Sequence, residues 1–296
     1  MITYRLETLP SVWEEKPLDW HFWLPEGEPR GIVQLVHGMA EHLKRYDATA
    51  RALAEQGWLV TGHTHLGHGP QAGRLGYFGP EAGWENLLGD IHAIRLRLQA
   101  ECPTLPYVIL GQSMGSLLTR CYLTRHGQGL SGAVLSGTGY FAPALTHGGL
   151  ALTALHKLLG LGKRPAPLIN RVAMPQGVDW LSRNAAVREA YQQDPLCGFC
   201  FTACGFRDLF TGLHELNDLH RLKNIPQGLP LYLFSGDADP VGQMGQGVQK
   251  VAEQYRQAGL KNITLRLYPG GRHEMLNETN RQEVWQDLIQ WLEGLA

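Results

Sequence analysis

Tyr107-Val108-Ile109-Leu110-Gly111-Gln112-Ser113-Met114-Gly115 runs straight into Ser116-Leu117-Leu118-Thr119-Arg120-Cys121-Tyr122-Leu123. The stretch reads as a buried strand, a sharp turn and a helix, with Ser113 at the apex. Gly111 and Gly115 let the backbone turn without a side-chain clash. A serine in such a turn is held up and exposed. The first N–H groups of the helix point toward whatever it attacks. G-x-S-x-G alone occurs by chance, and the strand–turn–helix setting is what makes it informative.

The same rhythm extends in both directions. Gly31 to Val36, Gly132 to Gly137 and Leu231 to Gly236 are short apolar runs that read as buried strands, and Trp58 to Gly62 and Ile263 to Tyr268 read as further strands. Helical periodicity separates most of them, at Tyr46 to Gln56, Trp84 to Gln99, Val248 to Gln257 and Glu283 to Leu292. Gly57 stops the first of these helices. Repeated strand–helix units predict an α/β fold, a mainly parallel doubly wound sheet covered on both faces. Tyr4 to Thr8 and Leu18 to Leu24 predict an antiparallel lead-in. Between about Tyr140 and Leu222 the alternation lapses. One apolar helix stands out there, Leu150 to Leu159, and Pro165, Pro167, Pro175 and Pro195 punctuate the rest. The expected division is a core of residues 1–139 and 223–296 with a mostly helical cap inserted at 140–222.

Bulk properties narrow the class of protein. The chain has 296 residues and a formal net charge of -1 with no basic stripe, so nucleic acid is not an expected partner. Five cysteines, an odd number in a chain this long, argue against a disulfide framework. Met1 to Glu7 lack a basic segment followed by an apolar one, and no apolar run is long enough to span a bilayer. A cytoplasmic protein without stable membrane insertion is the expectation.

A serine hydroxyl needs a base to take its proton and a third group to orient that base. Groups that carry chemistry in open parallel sheets gather at the carboxyl ends of strands. Asp237 and Asp239 follow the strand ending at Gly236, and His273 follows the strand ending at Tyr268. Serine, acid and histidine thus occur in the order used by one fold built on this turn. Asp239 is favoured as the orienting acid, with Asp237 capping the turn, a common role for such residues. Acyl transfer also needs N–H donors for a developing oxyanion. The backbone N–H of Met114 is one candidate. Met39, in the loop His37-Gly38-Met39-Ala40-Glu41-His42, is the other.

On these residues the chain resembles the α/β-hydrolase superfamily, and within it the monoacylglycerol lipase and lysophospholipase-like serine hydrolases. The matching segments are His37 to His42 with Arg45-Tyr46, Gly67-His68-Gly69, Gly111 to Ser116, Gly236 to Gly242, and Gly271 to Glu274 with Leu276-Asn277-Glu278. The resemblance implies a triad of Ser113, Asp239 and His273, oxyanion donors at Met39 and Met114, and a cap over the site. It implies a small-molecule ester substrate carrying an acyl chain, cleaved without cofactor or metal. Thr64-His65 and Gln71 depart from the pattern, standing where the family has an acid before the Gly67 loop and a serine after it.

Two alternatives keep the same three residues. A thioesterase would change the bond attacked. An aminopeptidase would need a cap carboxylate for the substrate ammonium, and Glu189, Asp194, Asp208 and Glu215 are available. A non-catalytic binder on the same fold is a third possibility, disfavoured by the intact triad. Cys197, Cys200 and Cys204 form C-x2-C-x3-C, a spacing that can share a metal ion. Leu196, Phe199, Phe201 and Phe206 around them favour packing thiols instead, with no fourth ligand close in sequence unless His214 folds back. His37, His42, His63, His65 and His68 give a histidine-rich front half, read as hydrogen-bonding rather than zinc-binding. Phe141, Leu145, Leu150, Leu152, Leu155, Leu158, Leu159 and Leu161 either line an acyl pocket or pack a helix on the core. Transient contact with a lipid interface is compatible with such a cap, although no basic helix face supports strong binding.

Overall fold

Successive residues of the central strands fall into two separate cores. Ile32, Val36, Tyr107 and Ile109 join one apolar cluster, while Val33, Leu35, Val108 and Leu110 join another. That alternation is the period-2 signature of a sheet buried on both faces. The computed structural model describes residues 1–295 of the 296. Up to the middle of the chain its elements are β1 (Thr3–Pro10), β2 (Pro17–Leu24), β3 (Gly31–Val36), α1 (Asp47–Glu55), β4 (Trp58–His63), α2 (Gly83–Glu101), β5 (Tyr107–Gln112), α3 (Met114–His126) and β6 (Gly132–Ser136). There follow α4 (Pro143–Leu158), α5 (Pro167–Ala173), α6 (Ala185–Gln193), α7 (Ala203–Glu215) and α8 (Leu219–Leu222). The chain returns to the sheet with β7 (Leu231–Gly236), α9 (Gln246–Gln257), β8 (Ile263–Tyr268) and α10 (Arg281–Glu293).

The eight strands form one sheet in the order β1-β2-β4-β3-β5-β6-β7-β8. The pairs β1–β2 and β2–β4 are antiparallel, and every later pair is parallel. This is the expected doubly wound α/β sheet with its antiparallel lead-in. On one face α1 and α10 supply Ala50, Leu53, Val284 and Leu288, and on the other α2, α3 and α9 supply Leu87, Ile91, Leu118 and Val251. No described helix is long and apolar enough to cross a membrane.

Five helices lie between β6 and β7, where the sequence reading anticipated one, and that one begins earlier, at Pro143. Proline explains part of the difference. Pro143 and Pro167 sit at the first positions of α4 and α5, where a missing N–H costs nothing, so Pro167, read as punctuation, is a helix start. α7 is stronger than its sequence suggested. The Thr202 side chain accepts from the Gly205 N–H at its N-terminus, and Phe206, Leu209, Phe210 and Leu213 form one buried stripe. α7 packs against α2, where Gly212 faces the Trp84 ring, and against α4, where Gly149 faces the Phe210 ring.

Candidate active site

The turn between β5 and α3 is as tight as its glycines imply. A Cβ on Gly115 would lie 1.9 Å from the Val36 carbonyl oxygen, and one on Gly111 would lie 2.3 Å from that of Gly115. Ser113 itself takes φ 54 and ψ -120, a backbone conformation costly for a residue with a side chain. It is half-buried, and its N–H donates to the Ser136 carbonyl at 2.9 Å, which ties the apex to β6.

Asp239 and His273 arrive from the ends of β7 and β8. Asp239 is fully buried. Its Oδ2 is 2.9 Å from His273 Nδ1 and accepts from the Ser235 hydroxyl at 3.0 Å. Its Oδ1 accepts the Val241 N–H at 2.8 Å. Asp237, by contrast, is exposed and accepts the Gly270 N–H at 2.6 Å. It is Asp239 that reaches the imidazole. With Nδ1 facing a carboxylate, the ring carries its proton there and leaves a lone pair on Nε2. Nε2 is buried and has no hydrogen-bond partner among the described residues. His273 and Ser113 line the same small cavity, together with Gly38, Met39, Gln112 and Trp180. Burial alone would depress the His273 pKa. The Asp239 carboxylate outweighs burial and raises it above the ordinary value.

Met39 and Met114 also line this neighbourhood. Both border a cavity of about 410 Å³ that opens on Ser113. Met114 is the first residue of α3, so its N–H has no acceptor within the helix. The Met39 N–H has no hydrogen-bond partner among the described residues. The rest of the cavity wall is Leu117, Phe141, Leu145, Met174, Leu209 and Leu213 with further small or apolar groups and the amide of Gln243, and it contains no charged side chain among the described residues.

Side chains around the site form a supporting network. Gln112 donates to the His273 carbonyl at 3.1 Å and accepts from Ser136. Glu41 accepts from the Gly38 N–H at 2.6 Å and from the Tyr46 hydroxyl at 2.7 Å. Arg45 bridges Glu41 to Glu274, reaching the latter with two bonds of 2.8 and 2.7 Å. The loop holding Met39 and the loop holding His273 are thereby fastened together through one guanidinium. The only advance signal was Glu41 and Arg45 at i, i+4; the link to Glu274 spans 229 residues. All three side chains are nearly buried, at 11%, 5% and 7% exposure. Arg45→Met strips two buried carboxylates of their partner and is expected to cost about 3–5 kcal/mol. Denaturant unfolding of the variant measures this directly.

The other sequence candidates fall elsewhere. His37, His63, His65 and His68 are buried side by side. His37 Nε2 accepts the His65 N–H at 2.9 Å, and His65 and His63 are 3.1 Å apart through ring nitrogens. Burial first, and the neighbouring rings second, push His63 down to about 3, so the ring is neutral at ordinary pH. Thr64 sits within 3.4 Å of the Leu43 N–H, and Gln71 donates to Asp19 at 3.3 Å. Cys204 is buried and Cys200 half-buried, while Cys197 lies beside His42 and Asp194. His214 packs on His147.

A strand–turn–helix serine on a mostly parallel eight-stranded sheet defines the α/β hydrolases. The chain belongs to the family described as serine aminopeptidase, S33, whose model matches residues 27–280. It is similar to a monoacylglycerol lipase from Mycolicibacterium smegmatis, 31% identical over 91% of this chain and 90% of that one. The structure is similar to that of a highly thermostable carboxyl esterase from Bacillus coagulans in complex with glycerol, with TM-score 0.90 and 29% identity over 100% of this chain and 99% of the other. It is also similar to a lipase in an open form, with TM-score 0.88 and 27% identity over 99% of each chain. The protein is an enzyme of the serine hydrolase class.

Proposed function

We propose that the protein hydrolyses carboxylic esters of monoacylglycerol or lysophospholipid type, with Ser113, His273 and Asp239 as its triad. One observation carries the substrate class: the cavity of about 410 Å³ beside Ser113 has an apolar wall. An acyl chain suits that wall, whereas a charged group entering it would lose its hydration without a partner. The similarity to a monoacylglycerol lipase and to an esterase holding glycerol supports the same reading.

His273 Nε2 takes the Ser113 proton as the oxygen attacks the ester carbonyl. Asp239 holds the imidazole and stabilises its cation. The N–H groups of Met39 and Met114 receive the oxyanion. The alcohol leaves with the proton from His273, and water then releases the acid by the same steps. Residues 140–222 act as a cap over this site, and its apolar side chains at Leu152, Leu155, Leu158, Leu168 and Val172 are exposed enough to meet a lipid surface transiently.

The aminopeptidase alternative has weaker support. Asp208 lies against Gly83 at the start of α2, Asp194 pairs with His42, Glu215 pairs with Arg125 and Arg221, and Glu189 is exposed. None of the four lines the cavity beside Ser113. Comparing turnover of p-nitrophenyl acyl esters of increasing length with amino-acid anilides tests the choice. Ester turnover that rises with chain length is expected; preferential anilide cleavage would overturn the reading.

Cavity shape should govern chain length. Leu145 lines the cavity yet is 44% exposed, so a larger side chain fits there without forcing the core apart. Leu145→Trp is expected to lower kcat/KM for long-chain esters about tenfold while sparing short ones.

The His273–Asp239 pair also sets a pH dependence. A base must be unprotonated, and its raised pKa puts the acid limb of kcat/KM above about 6.5. Activity therefore falls as pH drops through the raised His273 pKa. The stability contribution has the opposite sense, being full below the unfolded value of about 6.5 and lost as pH rises through the folded one. A pH–rate profile paired with unfolding at matched pH values checks both signs.

A further inference from the structure

His42, at the end of the loop that carries Met39, meets Asp194 and Cys197 from the connection between α6 and α7. A ring nitrogen, a carboxylate oxygen and the thiol sulfur all lie within 4.8 Å of one another. His42 Nε2 and Asp194 Oδ2 are 2.8 Å apart. All three residues are half-buried, which shields them while leaving a path to solvent.

The frame around them is fixed by the backbone. The Gly198 N–H donates to the Ala40 carbonyl at 2.9 Å, and the Cys197 N–H donates to the Asp194 carbonyl at 3.0 Å. Asp194 Oδ1 accepts the Leu196 N–H at 2.8 Å, leaving Oδ2 as the oxygen turned to His42. The charge balance favours a cation. Arg45 is paired with both Glu41 and Glu274, so with Asp194 this neighbourhood holds three carboxylates against one guanidinium. A divalent ion offsets most of that surplus even after the Cys197 thiolate adds to it.

We propose that His42, Asp194 and Cys197 bind a borderline-soft divalent transition metal, zinc being the natural choice for an imidazole, carboxylate and thiolate donor set. A tetrahedral ion with bonds of about 2.0–2.3 Å spaces its ligands by about 3.5 Å, so binding opens the 2.8 Å His42–Asp194 hydrogen bond slightly and draws the three ligand atoms, now within 4.8 Å, around the ion. Water fills the fourth position. Binding releases the thiol proton of Cys197 to solvent, moves the imidazole proton to Nδ1 and involves no electron transfer. The ion pins the α6–α7 connection to the Met39 loop, and so couples metal occupancy to the position of residues bordering Ser113. The sequence pattern suggested a different set, Cys197 with Cys200 and Cys204; the fold selects one of these cysteines, together with its near neighbour Asp194, and brings in His42 from 152 residues before Asp194.

The full-length protein, stripped with a chelator and titrated with Co²⁺, tests the site without recourse to ester cleavage. The expected result is one Co²⁺ per chain with a near-ultraviolet thiolate-to-cobalt absorption that Zn²⁺ displaces. Cys197→Ser is expected to abolish the band and Asp194→Asn to weaken binding at least tenfold, while Cys200→Ser and Cys204→Ser retain it. Zn²⁺ should raise the Tm of the wild type and not that of Cys197→Ser. Absence of the band in the wild type, its survival in Cys197→Ser, or its loss in Cys200→Ser or Cys204→Ser overturns the proposal. None of these outcomes depends on the substrate reading, so the two can fail separately.

Discussion

Ser113→Ala is expected to lower kcat/KM for a p-nitrophenyl ester by at least about 10⁴-fold and to abolish labelling by a fluorophosphonate probe. Removing one oxygen from a half-buried side chain leaves the fold intact. The turn is held by Gly111, Gly115 and the Ser113 N–H bond to Ser136, none of which uses the hydroxyl. The Tm should therefore stay near that of the wild type, and a collapse in both activity and Tm would point to a structural role instead. Wild-type protein that fails to label would favour a binder built on this fold over an enzyme with the proposed triad.

Asp239→Asn is the second large effect, about 10⁴-fold in kcat at neutral pH, and its origin is the proton on His273. Oδ1 accepts the fixed Val241 N–H at 2.8 Å, so the amide oxygen of asparagine must stay at that position. The amide NH₂ then takes the place of Oδ2 and faces His273 Nδ1, 2.9 Å away in the wild type. Two donors cannot meet there, so the imidazole moves its proton to Nε2, the atom proposed to accept the Ser113 proton. The negative charge that offset burial is lost as well, so the His273 pKa falls and the acid limb of the rate profile moves downward. Substituting Asp237 instead should leave the rate within a few-fold of wild type, since that side chain only caps Gly270. Parallel pH–rate profiles of the two variants check this contrast. A fully active Asp239→Asn would remove the acid from the mechanism.

Sequence periodicity carried the sheet far because β3 to β7 are short and wholly buried, whereas β8, at the sheet edge, alternates half-buried with exposed residues. Every strand from β3 onward was marked by an apolar run and located within a residue or two. The three residues proposed as the triad could be picked out together for a related reason. A parallel sheet sends strand ends to one edge, so residues just after β5, β7 and β8 become neighbours whatever lies between them. The segment 140–222 was less legible. Its helices α5, α6 and α8 are short, α4 and α5 begin with proline, and α6 buries no residue fully, so neither period nor punctuation separated most of them from loops.

By itself, the order of residues determined the α/β sheet and the serine elbow, and it singled out Asp239 and His273 as the proposed partners, because each depends on local pattern or on strand ends. Only the tertiary structure decided which charges meet. Arg45 finds Glu274 across 229 residues, and His42 finds Asp194 across 152. Such pairs leave no periodic trace in the chain, since their geometry arises only when separate loops pack at one rim and exclude water from between them.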